Sequence, residues 1–166
     1  MVSSKRGTTV NFIWAIVIST FAALVLKLVA LPPSVFYFWP DWIVIVVVFW
    51  SLHQPDKFGP ISAFVIGILL EVLFVRNFGV ISLGLACLAY VGNFSHQQLR
   101  ALSPWQQMFV VGFFIGVYKL VTGWLLGLVS EFDMTKEYWY SLLGDVLIWP
   151  FAIILLHELR RMMRLR

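Results

Sequence analysis

Residues 105–130 read WQQMFVVGFFIGVYKLVTGWLLGLVS, and this stretch decides the class of fold. As a helix it would run about 39 Å, more than the roughly 30 Å hydrocarbon core of a bilayer, so it predicts a tilted membrane-crossing helix. Within it Gly112, Gly116, Gly123 and Gly127 recur at helical spacing, and Lys119 falls on the same face. Small residues one turn apart let helix backbones approach closely. That turns the glycine face, and the lysine with it, toward protein rather than lipid.

The rest of the chain agrees with that reading. Of 166 residues, 61% are hydrophobic, 17% aromatic and only 12% charged, about half the charge of a soluble domain. Such a composition cannot make a wettable surface, which excludes an ordinary soluble enzyme. Further apolar segments lie at about residues 11–30, 34–52, 59–75, 78–94 and 138–156, so we expect an all-α polytopic bundle of six spans in one membrane domain. Six spans consume about 120 residues and leave no room for a nucleotide-binding or catalytic domain outside the bilayer. The first segment follows Lys5 and Arg6 like a signal peptide, but Lys27 interrupts it and no small-residue cleavage site precedes Pro32-Pro33. It reads as an uncleaved span. The second is irregular: its uninterrupted apolar core, residues 42–52, covers only about 17 Å. Either Pro40 kinks a longer helix or Asp41 N-caps a short one starting at Trp42. Arg76-Asn77 alone separates the third and fourth spans, predicting a tight hairpin.

Orientation follows the basic residues. With the N-terminus inside, Lys5, Arg6, Lys57, Arg100, Arg160, Arg161, Arg164 and Arg166 are cytoplasmic, and Arg76 and Lys136 are outside, with Lys27 near the outer end of its span. Both termini then face the cytoplasm, which requires an even number of crossings. Basic residues at helix ends are a membrane signature, so the net charge of +4 is no sign of nucleic-acid binding. Tyr37, Phe38, Trp39, Trp42, Tyr138, Trp139 and Tyr140 gather at the outer boundary as an interfacial aromatic belt, which also has the composition of a contact surface.

Lys27, Glu71, Lys119 and Asp145 fall inside apolar runs, where each charge costs at least about 2.5–3.5 kcal/mol without a partner or water. Glu71 shares a four-residue period with Gly59, Ala63 and Gly67, and Asp145 lies one turn from Ser141. All four belong to the outer half or the midplane and their charges cancel, which predicts an internal polar cluster containing a contact between Lys119 and Glu71 or Asp145. Two readings fit it equally: ion pairs that fix helix register, or a polar pocket for a ligand. No catalytic set accompanies the two acids. His53, His96 and His157 map to the opposite ends, the lone Cys87 excludes an intramolecular disulfide, and neither a metal-ligand set nor a cofactor motif is present.

Several short motifs in order carry a resemblance. Trp39-Pro40-Asp41-Trp42 precedes an apolar run ending in Phe49-Trp50; Gly59, Gly67, Glu71 and Gly79 follow, then Pro104-Trp105-Gln106-Gln107 and Trp149-Pro150. In this order the chain resembles, over nearly its full length, the MreD family of rod-shape-determining proteins of Gram-negative bacteria, with Glu71 where that family often has Asp. The resemblance implies a non-enzymatic inner-membrane component of the cell-elongation machinery. It implies binding to the bitopic periplasmic protein MreC, and through it or directly a link to MreB filaments, RodA and the elongation penicillin-binding transpeptidase. It further implies a fold similar to the substrate-binding membrane subunits of energy-coupling-factor transporters. A small-molecule-binding transporter subunit and a lipid-processing enzyme are the competing functions. Trp39, Pro40 and Trp42 are the residues expected at a partner interface.

Overall fold

The computed structural model describes residues 2–29, 38–74, 79–129 and 136–163. Among them the chain forms six helices: α1 (Val2–Leu28), α2 (Trp42–His53), α3 (Pro60–Leu73), α4 (Val80–Arg100), α5 (Pro104–Val129) and α6 (Lys136–Met162). Residues 34–37 of the second expected span, the Arg76-Asn77 turn, residues 131–135 of the outer loop, and Arg164 and Arg166 lie outside the described residues.

The shortest helix is the centre of the bundle. A helix that is hydrophobic all round must be enclosed, and residues 43–53 of α2 are all buried. Helices α1, α4 and α6 pack on it, α5 bridges α4 and α6, and α3 packs mainly on α4. Phe49, Trp50, Phe58 and Trp149 fill the core with no exposed surface. The indole N–H of Trp50 donates to Ser19 Oγ at 3.0 Å, and that hydroxyl donates in turn to the Ile16 carbonyl at 3.0 Å. Of the two forms the sequence allows for this segment, the structure takes the short helix, with Pro40 before it rather than within it. At about 18 Å, α2 is tolerable in a membrane because protein surrounds it and satisfies the irregular backbone at its start.

Three helical stretches, Val10–Leu28, Trp105–Val129 and Tyr138–Met162, are long and apolar enough to cross a membrane. Phe21, Phe109, Phe113 and Phe151 on these helices are each about two-thirds exposed, which suits lipid and not water. Helix α4 runs six residues past the expected boundary at 94, through Ser95, His96, Gln97 and Gln98. Its end is closed from α5, where Gln107 Nε2 donates to the Leu99 and Leu102 carbonyls at 3.0 and 3.1 Å. Helix α6 continues through buried Pro150 to Met162.

Glycines set the close crossings. A Cβ on Gly112 would strike Val146 and one on Gly116 would meet Leu142, so this face of α5 packs on α6. Gly67 lies against the Ser82 backbone, Gly92 against Ser51, and Gly84 against Thr122 and Tyr118. Ala63 and Gly123 are buried. Two of the expected packing residues do something else. Gly59 is the extended N-cap of α3 with open space around it, and Gly127 is exposed. A four-residue period alone cannot tell where a neighbouring helix stops.

Candidate functional site

Helices α5 and α6 run antiparallel, so their contacts march in opposite directions: Gly112 to Val146, Gly116 to Leu142, then Lys119 to Ser141. At that level the Lys119 ammonium donates to Ser141 Oγ at 3.0 Å and lies 3.2 Å from Asp145 Oδ2. The side chains of Lys119 and Asp145 are 5% and 0% exposed, so this ion pair is sealed from solvent. Tyr138 lies against the same lysine: its hydroxyl donates to the Lys119 carbonyl at 2.8 Å, and the ammonium sits 5.6 Å from its ring centre. Thr122 Oγ1 donates to the Tyr118 carbonyl at 2.7 Å, which keeps a second hydroxyl of this face satisfied.

The other oxygen of Asp145 reaches a different part of the chain. Asp145 Oδ1 accepts the backbone N–H of Asp41 at 2.6 Å, 104 positions away in sequence. Beside it, Gly144 leaves room for the Phe38 carbonyl and Pro40 nitrogen; any Cβ there would collide with that backbone. Phe38 stacks on Tyr140 with ring centres 5.3 Å apart. From the other side, α1 holds the same segment: Trp39 Nε1 donates to the Leu26 carbonyl at 3.0 Å, and Lys27 Nζ donates to Asp41 Oδ1 at 3.0 Å. The Asp41 side chain therefore makes no cap hydrogen bond to α2. It serves as a link between helices. The result is a clasp in which segment 38–41 is pinned between α1 and α6 directly above buried α2. Lys27, Asp41, Asp145 and Lys119 run through it in order, the two carboxylates in the middle and a lysine paired with each.

Glu71 stands apart from this chain of charges. From the last turn of α3 it accepts the backbone N–H groups of Gly79 at 2.9 Å, Ile81 at 2.7 Å and Ser82 at 3.0 Å, and also the Ser82 hydroxyl. A helix N-terminus leaves unsatisfied N–H donors with partial positive charge. The N-cap of α4 is Gly79, at φ +99, which brings no side-chain oxygen. Glu71 supplies the missing acceptor from the other arm of the hairpin. Its sequence position suggested membership of a shared polar cluster; its geometry makes it a cap.

The structure thus brings Lys119 to Asp145 and Lys27 to Asp41, and gives Glu71 its own donors. Trp39 and Trp42 are half-buried with ring centres 5.7 Å apart, while Pro40 is buried. Sequence reasoning missed Gly144 and the linking role of Asp41. The signal for Gly144 was its place immediately before Asp145, where an α6 face must be open for the carboxylate to meet passing backbone. Among the described residues no group of three His, Cys, Asp or Glu side chains is arranged to hold a metal ion.

At the opposite end of the bundle, His53 Nδ1 donates to the Phe49 carbonyl at 2.9 Å, and its ring stacks on Phe49 with centres 4.3 Å apart. His157 stands edge-on to His53 at 4.6 Å. Near His157 on α6, the Arg160 Nε is enclosed and has no hydrogen-bond acceptor.

Comparison with known proteins gives one consistent result. A family model described as rod shape-determining protein MreD matches residues 8–159. The rod shape-determining protein MreD of Haemophilus influenzae is 30% identical over 158 residues, covering 92% of this chain and 94% of that protein. No solved structure matches the chain.

Proposed function

The chain belongs to the MreD family of rod shape-determining proteins, and from that premise we propose that it is a scaffold of the inner-membrane complex that directs lateral wall synthesis. Membership carries a role in cell shape and a membrane location. The finer reading is that the protein gathers MreC, and with it MreB filaments, RodA and the elongation transpeptidase, around lateral peptidoglycan synthesis. It is a six-crossing bundle with both termini cytoplasmic, and it shares an architecture with the substrate-binding subunits of energy-coupling-factor transporters.

The observation that carries the proposal is the family match across residues 8–159, nearly the whole bundle. The geometry supports it. Each intramembrane charge is engaged as a strut: Lys119 with Asp145, Lys27 with Asp41, Glu71 on the start of α4. A scaffold needs a rigid surface, and the clasp holds one at the outer end. Phe38 and Tyr140 are exposed there in a stacked pair, backed by half-buried Trp39 and Trp42. Large aromatic side chains on a fixed backbone are favoured contact residues, so this rim is where MreC docks, with buried Pro40 as its support.

Removing the protein from a rod-shaped host should turn rods into spheres while the isolated wall polymerases keep their activity. Trp39→Ala with Trp42→Ala should weaken MreC co-purification at normal abundance. Full MreC binding and rod shape in the tryptophan variant at normal abundance would overturn the placement of the interface. Rods persisting without the protein would overturn the function.

A further inference from the structure

The bundle presents apolar bands of very different height to its surroundings. On α5 the exposed apolar residues run from Trp105 to Val129, about 36 Å along the helix and more than the roughly 30 Å core of a bilayer. On α3 they run from Ile61 to Leu73, about 18 Å, and on α4 from Leu83 to Phe94, about 17 Å. These two bands form one belt, because the arms of the hairpin are locked in register at both ends. Glu71 accepts the N–H groups of Ile81 and Ser82 at one end, and Asn93 Nδ2 donates to the Phe58 carbonyl at 3.1 Å at the other. Polar residues close the belt on its inner side: Asp56 and Lys57 before α3, and Gln97 and Gln98 on the turn after Phe94, are all exposed. On the outer side the arms stop at Leu73 and Val80, and the residues that join them include Arg76 and Asn77. Tilting either arm would only lower the belt further.

We propose that the exposed face of the α3–α4 hairpin is a docking surface for phospholipid of short acyl chain, around which the bilayer thins to about 20 Å. Two arguments fix the occupant. A flat core of roughly 30 Å would leave about 10 Å of hydrocarbon beyond the belt, against its polar borders. Immersing charged and amide groups in hydrocarbon is costly, whereas a bilayer adapts to a short span at a modest cost per ångström. The lipid therefore gives way. A second helix is a poor occupant, because close helix packing needs small residues, and the glycines of this hairpin are used internally. Gly67 lies against Ser82, Gly84 against Thr122 and Tyr118, and Gly92 against Ser51. The side chains left most exposed are large, with Ile61 at 81% and Phe94 at 83%. The inference rests on the bundle lying in a membrane and not on its role in cell shape, so the two fail separately.

The test compares two exposed positions whose relative levels the fold sets. Gln107 on α5 donates to the Leu99 carbonyl, which places Phe109 about level with Gln97 and nearer the cytoplasmic end than Phe94. A nitroxide is attached at Phe94→Cys or Phe109→Cys, each with Cys87→Ala, in the full chain reconstituted in dioleoylphosphatidylcholine vesicles. Depth is read from relaxation by oxygen against a water-soluble nickel chelate. A flat bilayer puts the Phe109 label nearer water, by about 4 Å. Thinning at the hairpin reverses the order: the Phe94 label reads at the headgroup boundary and the Phe109 label about 3 Å inside it. Gln97→Leu with Gln98→Leu extends the apolar face of α4 by about a turn and should move the Phe94 label inward by about 5 Å. From an equimolar lipid mixture, the purified chain should retain dimyristoleoyl- over dioleoylphosphatidylcholine about threefold in native mass spectrometry. The flat-bilayer order, or no shift in the leucine variant, overturns the thinned belt. Equal retention of the two lipids overturns the preference for short chains. A Phe94 label shielded from both relaxing agents means that protein covers the face, and overturns lipid as its occupant.

Discussion

The two ends of the bundle handle charge in opposite ways. At the clasp end, Lys27 pairs with Asp41 and Lys119 with Asp145, and Asp145 also accepts the Asp41 backbone N–H. At the basic end, His53 and His157 meet edge-on at 4.6 Å, and the enclosed Arg160 Nε has no acceptor. Paired charges in a low-dielectric interior act as struts, because each member is costly without the other. A buried donor without an acceptor has given up water and gained nothing in return. Charge alone therefore does not mark a functional site in a membrane bundle: the paired charges here are joints between helices.

The comparison is most severely tested at the sealed pair. Lys119→Ala leaves Asp145 buried without its counter-charge, and Asp145→Ala does the reverse. Each should cost about 3–5 kcal/mol in thermal or denaturant unfolding of the purified protein. The double change Lys119→Met with Asp145→Leu should recover a large part of that loss, since an apolar pair of similar volume replaces the ion pair. A double variant as unstable as the sum of the two singles would show that the pair is no unit.

A smaller effect is expected at the backbone crossing. Gly144→Ala forces a methyl into the Phe38 carbonyl and should destabilise by about 1–3 kcal/mol. Gly59→Ala, with open space around it, should stay within about 0.5 kcal/mol. Comparing the two by unfolding separates a glycine required for close approach from one that merely fits a periodic pattern.

Glu71→Gln keeps the shape of the hairpin cap but removes its charge and turns an amide N–H₂ toward backbone donors. A loss of about 1–3 kcal/mol follows from the mismatched hydrogen bonds. Faster amide hydrogen exchange at Ile81 and Ser82 is the specific readout. A uniform increase across all helices would instead mean that Glu71 supports the whole bundle.

The smallest changes sharpen the contrast between the ends. The Lys27–Asp41 pair is 36% and 25% exposed, so Lys27→Ala should cost no more than about 1 kcal/mol. In detergent, Arg160→Ala should be neutral or mildly stabilising, because it removes an enclosed N–H that has no acceptor. Destabilisation comparable to Lys119→Ala would make Arg160 a strut like the others and end the distinction drawn between the two ends.

Much of the fold was legible in the chain itself. Apolar runs separated by short polar breaks determine six helical segments, because a helix is the way a single chain segment satisfies its backbone in lipid. The glycines of α5 announced a protein-facing side, and Lys119 rode on it for the same geometric reason. Asp145 was marked by its cost in an apolar run, and its neighbour Ser141 by the helical turn between them.

Which charges meet was decided only by tertiary structure. Glu71 and Asp145 look alike in sequence, each a carboxylate in an apolar helix with small residues nearby. One became the cap of the next helix because Gly79 brings no oxygen to that N-terminus. The other became a joint between Lys119 and the Asp41 backbone, 104 positions away. Periodicity reports which face of a helix turns inward. It carries no information about what stands opposite, because that depends on how far each helix extends and where the connecting segments cross. The same reason explains why α2 looked too short to span: its length was plain in the sequence, but its place inside a sleeve of other helices was not.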